Sequence, residues 1–267
     1  MRNSCCWAHS SLSHLALLAL MALSGCGGNS TTTAVDSEKP SMDEKSLFAV
    51  GVLQIDPKDC IAKAESSASL LSRGVLDLAF RQSYSAFLLV GNQLARAGAD
   101  ATGETERVSL RSVEVTLTTA GGAVLQKYSS VTVGFIDAST ASAAYGVATL
   151  DVIPPDVGAS ASVQSAKLVI ARIRVLGEAL NGTPMISSEA VFPITVCTGC
   201  LVQYPPEAAD PTTPSGSGYL CTTSASATLA PAAPPCVIGQ DLPFSCTLCA
   251  ASLEICRDPS KNPAISK

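Results

Sequence analysis

Between residues 47 and 196 the chain repeats one rhythm: short apolar and β-branched stretches separated by Gly, Asn, Asp and Pro, with no apolar period of 3.6 sustained over a dozen residues. That pattern predicts strands. They fall at 47–55, 74–80, 84–94, 107–118, 123–136, 146–153, 163–176 and 185–196. The last pair is the clearest. Val169, Ala171, Ile173 and Val175 alternate with Leu168, Ile170, Arg172 and Arg174; Asn181-Gly182 then supplies a turn, and Ile186, Ala190, Phe192, Ile194 and Val196 resume an apolar face. This is the pattern of a hairpin, or of a near relative with a longer loop. In the strand at 107–118 the apolar set runs Val108, Leu110, then Val113, Val115 and Leu117, so the phase slips by one at Arg111-Ser112. A β-bulge there restores the inward face.

Two stretches read differently. Asp59 to Ser72 is Ala- and Ser-rich with Lys63 and Glu65, and predicts a short helix across a strand connection. Residues 137–162, rich in Ala, Ser and Thr and carrying Pro154-Pro155, predict a long loop with a short strand inside it. Asp56-Pro57 and Pro193 mark strand ends or edges, because proline cannot donate in a sheet ladder. Seven or eight strands in this span give an all-β fold: a two-sheet sandwich, immunoglobulin-like or fibronectin-like. Such folds host unrelated functions, so the fold alone assigns none.

The flanks have their own character. Residues 1–25 carry Arg2, then an apolar run from Leu15 to Leu23, and no acidic residue. That is the plan of a signal peptide, and the run is about half the 18 or so residues that span a bilayer. Leu23-Ser24-Gly25-Cys26 then resembles the lipobox of bacterial lipoproteins. The resemblance covers residues 1–26 only. It implies cleavage between Gly25 and Cys26, with diacylglycerol on the Cys26 thiol and an acyl chain on its new amino group. A buried methylene stabilises by roughly 0.8 kcal/mol, so two or three chains hold a protein on a membrane where one holds it marginally. The resemblance also implies a location, the bacterial cell envelope. Gly27 stands where an aspartate would signal inner-membrane retention, which favours the outer membrane. Residues 26–46 form the lipidated cysteine and a polar tether, whose twenty or so residues reach roughly 25 Å.

Composition removes several chemistries. His9, His14 and Trp7 all lie in the leader, so the mature chain has neither residue type. Ser-His-Asp and Cys-His catalysis, histidine metal or haem sites and histidine proton relays therefore fall away. Removing the leader takes Arg2 from the 17 basic residues and leaves all 22 acidic ones, a net charge of −6. An acidic chain without a basic cluster argues against nucleic acid as a partner. Paired carboxylates such as Asp137 and Asp151, or a Ser-Lys pair, stay open for a hydrolase, but no spacing points to them. No catalytic residue, metal or cofactor is assigned, and the expected role is non-catalytic: structural or interaction work in the envelope. The alternative is a ligand- or polysaccharide-binding module with Tyr84, Tyr128, Tyr145, Tyr204 or Tyr219 as platforms, against the plainer reading that each tyrosine packs in a core or rim.

After Val196 the chain becomes a Cys- and Pro-rich tail, 197–267, predicted to be irregular and held covalently. With Cys5 and Cys6 in the leader and Cys26 lipidated, eight cysteines are left: Cys60, Cys197, Cys200, Cys221, Cys236, Cys246, Cys249 and Cys256. An even number in an oxidising compartment predicts four disulfides. The rival readings are a zinc site from the two Cys-x2-Cys pairs, whose separation exceeds the usual spacing, and a redox pair at Cys197 and Cys200, which lacks a βαβ context. Cys60 follows the first strand as Cys197 follows the last. If those strands run parallel side by side, Cys60 bonds to Cys197 or Cys200.

Overall fold

The computed structural model describes residues 46–96, 105–205, 221 and 234–265. The leader, Gly25, Cys26, the tether through residue 45 and Tyr219 lie outside the described residues. Eleven strands are described: β1 Leu47–Val52, β2 Gly74–Asp77, β3 Tyr84–Asn92, β4 Val108–Thr119, β5 Val124–Ile136, β6 Ala144–Ile153, β7 Leu168–Ala179, β8 Pro184–Ile186, β9 Ala190–Cys197, β10 Val202–Gln203 and β11 Phe244–Ser245. The short helices are α1 Pro155–Gly158, α2 Ala161–Ser165 and α3 Glu254–Arg257. No helix among the described residues is long and apolar enough to cross a membrane.

The fold is all-β and sandwich-like. The larger sheet has the order β2-β9-β7-β4-β5, with β8 pairing β7, and the smaller has the order β1-β3-β6. One core joins them. From the small sheet come Val52, Leu88, Val90, Ala148, Leu150 and Val152; from the large sheet come Val113, Val115, Leu117, Val169, Ile173, Phe192 and Ile194. The alternation in β7 sets which face is inward, with Val169, Ala171, Ile173 and Val175 buried and Arg172 and Arg174 exposed. Burying an aliphatic side chain of this size stabilises by about 1.5–3 kcal/mol, so this face fixes the register.

The phase slip in β4 is a bulge. Its register to both β5 and β7 shifts between Leu110 and Ser112, leaving Arg111 exposed while Leu110, Val113, Val115 and Leu117 are buried. After the turn at Gly182, which has φ +86°, the chain returns along β7 first as β8 and then, one residue out of step, as β9. Pro193 sits where β9 has β7 on one side and β2 not yet on the other, since β2 pairs only from Ile194 onward. The Val196 N–H points to Lys167 of the β7 side, so an N–H at 193 would have pointed to the open edge.

Three expectations fail. Residues 59–72 form no helix. The segment around Leu70 runs back against the end of β1, with Gln54 N–H to Ser69 O at 2.9 Å and Leu71 N–H to Val52 O at 2.8 Å. Cys60 adopts φ +54°, which interrupts any right-handed turn. Within residues 137–162 the expected short strand forms as β6, two residues longer at its start, but the stretch after it is not loop: it holds α1 and the start of α2, which runs on to Ser165. Ser160 caps α2 by accepting from the Val163 N–H, so β7 starts at Leu168 and not at 163. Finally, the parallel neighbour of the last strand is β2, not β1. Asp77 therefore lies opposite Cys197, and Cys60 is carried elsewhere.

The disulfides are Cys60–Cys236, Cys197–Cys200, Cys221–Cys246 and Cys249–Cys256. The expected bond from Cys60 to Cys197 or Cys200 is not formed. The tail has a small core of its own, with Leu201, Val202 and Phe244 among Cys221, Cys246, Cys249 and Cys256, packed against Val75 and Phe80. Phe80 meets Phe244 edge to face at 4.9 Å.

Candidate functional site

The tail returns across the sandwich at residues 235–242, and between this strap and the sheets lies a cavity of about 240 Å³. Its floor is Val52 at the end of β1 with Tyr84, Ala86 and Phe87 of β3. One wall is Leu53, Ile55 and Leu71 from the connection after β1, and the roof is Pro235, Val237 and Leu242. The Cys60–Cys236 bond closes one side, joining wall to roof. The lining is mainly apolar, and the volume lies just under the range of drug-sized sites, so it suits a compact ligand.

Three polar side chains converge beneath it, and each is already engaged. Asp241 Oδ1 accepts from the Val75 N–H at 2.9 Å, and both carboxylate oxygens lie 2.9 Å from the Tyr84 hydroxyl that donates to them. Gln240 donates to Ser85 O at 2.7 Å and accepts from the Ser85 N–H at 3.1 Å, mimicking a strand neighbour. Its amide also donates to Asp241 Oδ2. Asp241 has φ +61°, a conformation that Asp tolerates better than most residues. Gly74 permits this arrangement, because a Cβ there would stand 2.4 Å from the Tyr84 oxygen.

Burial pushes the Asp241 carboxyl above its ordinary range, outweighing the hydrogen bonds from Val75, Tyr84 and Gln240 and the charge of Arg81. Burial, then the Asp241 charge and hydrogen bond, push the Tyr84 phenol far up, so it stays a neutral donor. This site disfavours a phenolate. It holds shape.

A second dock lies at the end of β2. Asp77 is fully buried, and its carboxylate accepts from Gly199 N–H at 2.6 Å, Leu201 N–H at 3.0 Å and Ala79 N–H at 3.1 Å. Asn262 donates to Gly199 O at 2.8 Å from the other side. These contacts hold the Cys197-x2-Cys200 turn. Asp77 Oδ and the two sulfurs lie within 4.8 Å of one another, but the sulfurs are bonded together and the carboxylate already serves three N–H groups. The four cysteines of the two Cys-x2-Cys pairs are all spent in disulfides, with Cys246 and Cys249 bonded to Cys221 and Cys256.

The other sequence candidates are scattered. Asp137 pairs with Arg107 at 3.0 Å near the Asn92 end of β3, whereas Asp151 accepts from Ser85 Oγ at 2.6 Å at the opposite end. Seven strand residues separate those ends, on the order of 20 Å, too far for a carboxylate pair. Tyr84 is buried, Tyr128 donates to the Asp151 and Val152 carbonyls, Tyr145 meets Phe48 edge-on and Tyr204 donates to Ile255 O inside the tail core. Burial raises the hydroxyls of Tyr128 and Tyr204. These four form no shared platform. Sequence reasoning missed Asp77, Gln240 and Asp241. Asp77 carried a signal, a lone carboxylate inside the apolar run Gly74-Val75-Leu76-Asp77-Leu78-Ala79-Phe80, the mark of an acid buried among donors.

No protein-family model matches the chain, and no curated protein matches it in sequence. Among solved structures, an X-ray structure of a Northeast Structural Genomics Consortium target is similar at 11% identity and a TM-score of 0.29, covering 59% of this chain and 91% of its own. A Bordetella pertussis protein given the name ApaA is similar at 12% identity and a TM-score of 0.26, covering 58% and 98%. Likenesses this slight carry no argument about this chain.

Proposed function

We propose that this chain is a lipid-anchored bacterial envelope protein, held by acyl groups on Cys26, whose sandwich is immunoglobulin-like and whose work is binding, not catalysis. The observation that supports the binding role is the cavity under residues 235–242. Its walls are apolar, and its polar groups, Tyr84, Gln240 and Asp241, are tied to one another and to backbone. A ligand there is held by shape and burial, about 25 cal/mol for each Å² of apolar surface covered. The absence of imidazole from the mature chain, the neutral Tyr84 and the separation of Asp137 from Asp151 support a non-catalytic reading.

The test uses N-phenyl-1-naphthylamine, a neutral probe whose fluorescence rises in apolar surroundings. The reading expects saturable binding of one probe per chain, abolished in Val237→Trp, which fills the roof of the cavity, with the melting temperature kept. Unsaturable fluorescence, or unchanged binding in Val237→Trp, would refute it. The anchor is tested separately: metabolic palmitate should label the wild type and not Cys26→Ser, which should leave the membrane fraction.

A further inference from the structure

We propose that the Cys197–Cys200 disulfide is a thiol–disulfide exchange site that accepts electrons from a dithiol donor, with the fold unchanged between its two states. This goes beyond the binding role and does not depend on it.

A disulfide stabilises chiefly by closing a loop, and its effect grows with loop length. Cys60–Cys236 spans 176 residues of separation; Cys197–Cys200 spans 3. The short bond adds little that the turn lacks, because Asp77 grips the Gly199 and Leu201 N–H groups, Asn262 grips the Gly199 carbonyl, and Leu78 N–H holds the Cys197 carbonyl at 2.8 Å. Gly199, at φ +78°, fits here without strain, and a Cβ would strike Asn262 at 2.3 Å. Every one of these contacts survives opening of the S–S bond.

The reduced state is accommodated too. Cys197 Sγ lies 3.6 Å from the Leu76 carbonyl oxygen, so a thiol there has an acceptor waiting. The two residues also differ in exposure. Cys200 is exposed, whereas Cys197 is half-buried at the end of β9. That sets the direction of attack.

A donor thiolate attacks Cys200 Sγ. The Cys197–Cys200 bond breaks, and its electron pair leaves on Cys197 Sγ, which takes a proton from water and keeps it as an S–H that hydrogen-bonds to Leu76 O. Cys200 is then in a mixed disulfide with the donor. The donor's second thiolate attacks its own sulfur in that bond, expelling Cys200 as a thiolate that takes a second proton. Two electrons and two protons pass to the pair, and the donor leaves as a disulfide.

The experiment uses the folded chain beginning at residue 27. Graded dithiothreitol followed by alkylation and peptide mass mapping should show Cys197 and Cys200 modified while the other three bonds stay closed, with the melting temperature lowered by less than about 3 °C. Oxidised glutathione should then trap the asymmetry. Cys197→Ser, left with exposed Cys200, should gain one glutathione at least tenfold faster than Cys200→Ser, left with sheltered Cys197. The proposal is overturned if the bond opens only together with the tail disulfides, if its opening unfolds the chain, or if the two variants react at the same rate.

Discussion

Replacing Asp77 with alanine tests how the tail is attached. The carboxylate serves three N–H groups, of which those of Gly199 and Leu201 are buried with it. Alanine leaves those two unpaired, at about 1–3 kcal/mol each. Part of that loss is offset, because the mutation also removes a buried charge that had been taken out of water. The expected net cost is about 2–4 kcal/mol. With a urea slope near 2–3 kcal/mol/M for a domain of this size, the midpoint should fall by about 1 M. Urea unfolding followed by circular dichroism reads the midpoint, and limited proteolysis reads whether cleavage moves to the bonds after Cys197. Asp77→Asn provides the control: it keeps one oxygen for Gly199 and Ala79 but presents an amide donor to the Leu201 N–H, and should fall between the two. A midpoint within about 0.3 M of wild type for Asp77→Ala would show that the dock carries little, and the account of the turn would fall with it.

Other outcomes follow from particular contacts. Because the Asp241 carboxyl is raised on folding, chiefly by burial, its contribution to stability is present below the usual carboxylate pKa near 4 and is lost as pH rises through the raised folded value. Asp241→Asn, which also tolerates φ +61°, should therefore gain stability relative to wild type as pH rises above about 4; a parallel shift of both curves would count against this. Removing Cys60–Cys236 in a Cys60→Ala, Cys236→Ala chain should cost up to about 5 kcal/mol by loop-closure reasoning and abolish probe binding in the cavity, both readable in one thermal and fluorescence series. Deleting Arg111 removes the extra residue of the bulge against β7 and leaves Leu110, Val113, Val115 and Leu117 in one unbroken inward alternation, so the chain should still melt cooperatively; a chain that fails to fold would refute the register argument.

Much of the sandwich was legible because a half-buried strand writes its orientation at every second residue. The alternation in β7 and the slip at Arg111 are direct records of which side faces the core, and Asn181-Gly182 records the turn. The failures occur where local pattern and tertiary contact compete. Residues 59–72 have helix-compatible composition, yet the backbone of Ser69 and Leu71 is claimed by β1 and Cys60 is held in a left-handed conformation by its distant partner. Neither pull is written within the segment. The site was less legible still, since Tyr84, Ser85 and Val75 meet Gln240 and Asp241 across more than 150 positions, and polar residues in an irregular tail look like solvated loop until the strands they complete are known. Asp77 is the exception, an acid conspicuous by its apolar neighbours.

The strap at residues 239–241 also bears on the order in which the molecule can be finished. It lies along the outer edge of β2, where Asp77 N–H reaches Gly239 O and Asp241 N–H reaches Val75 O, so a segment synthesised long after β2 seals the edge that β2 creates. Until it arrives, β2 presents an open edge to any passing strand, and the Cys60 thiol meets Cys197 and Cys200 before its native partner exists. Order of synthesis thus leaves the β2 edge and Cys60 without their native partners until residues 236–241 emerge.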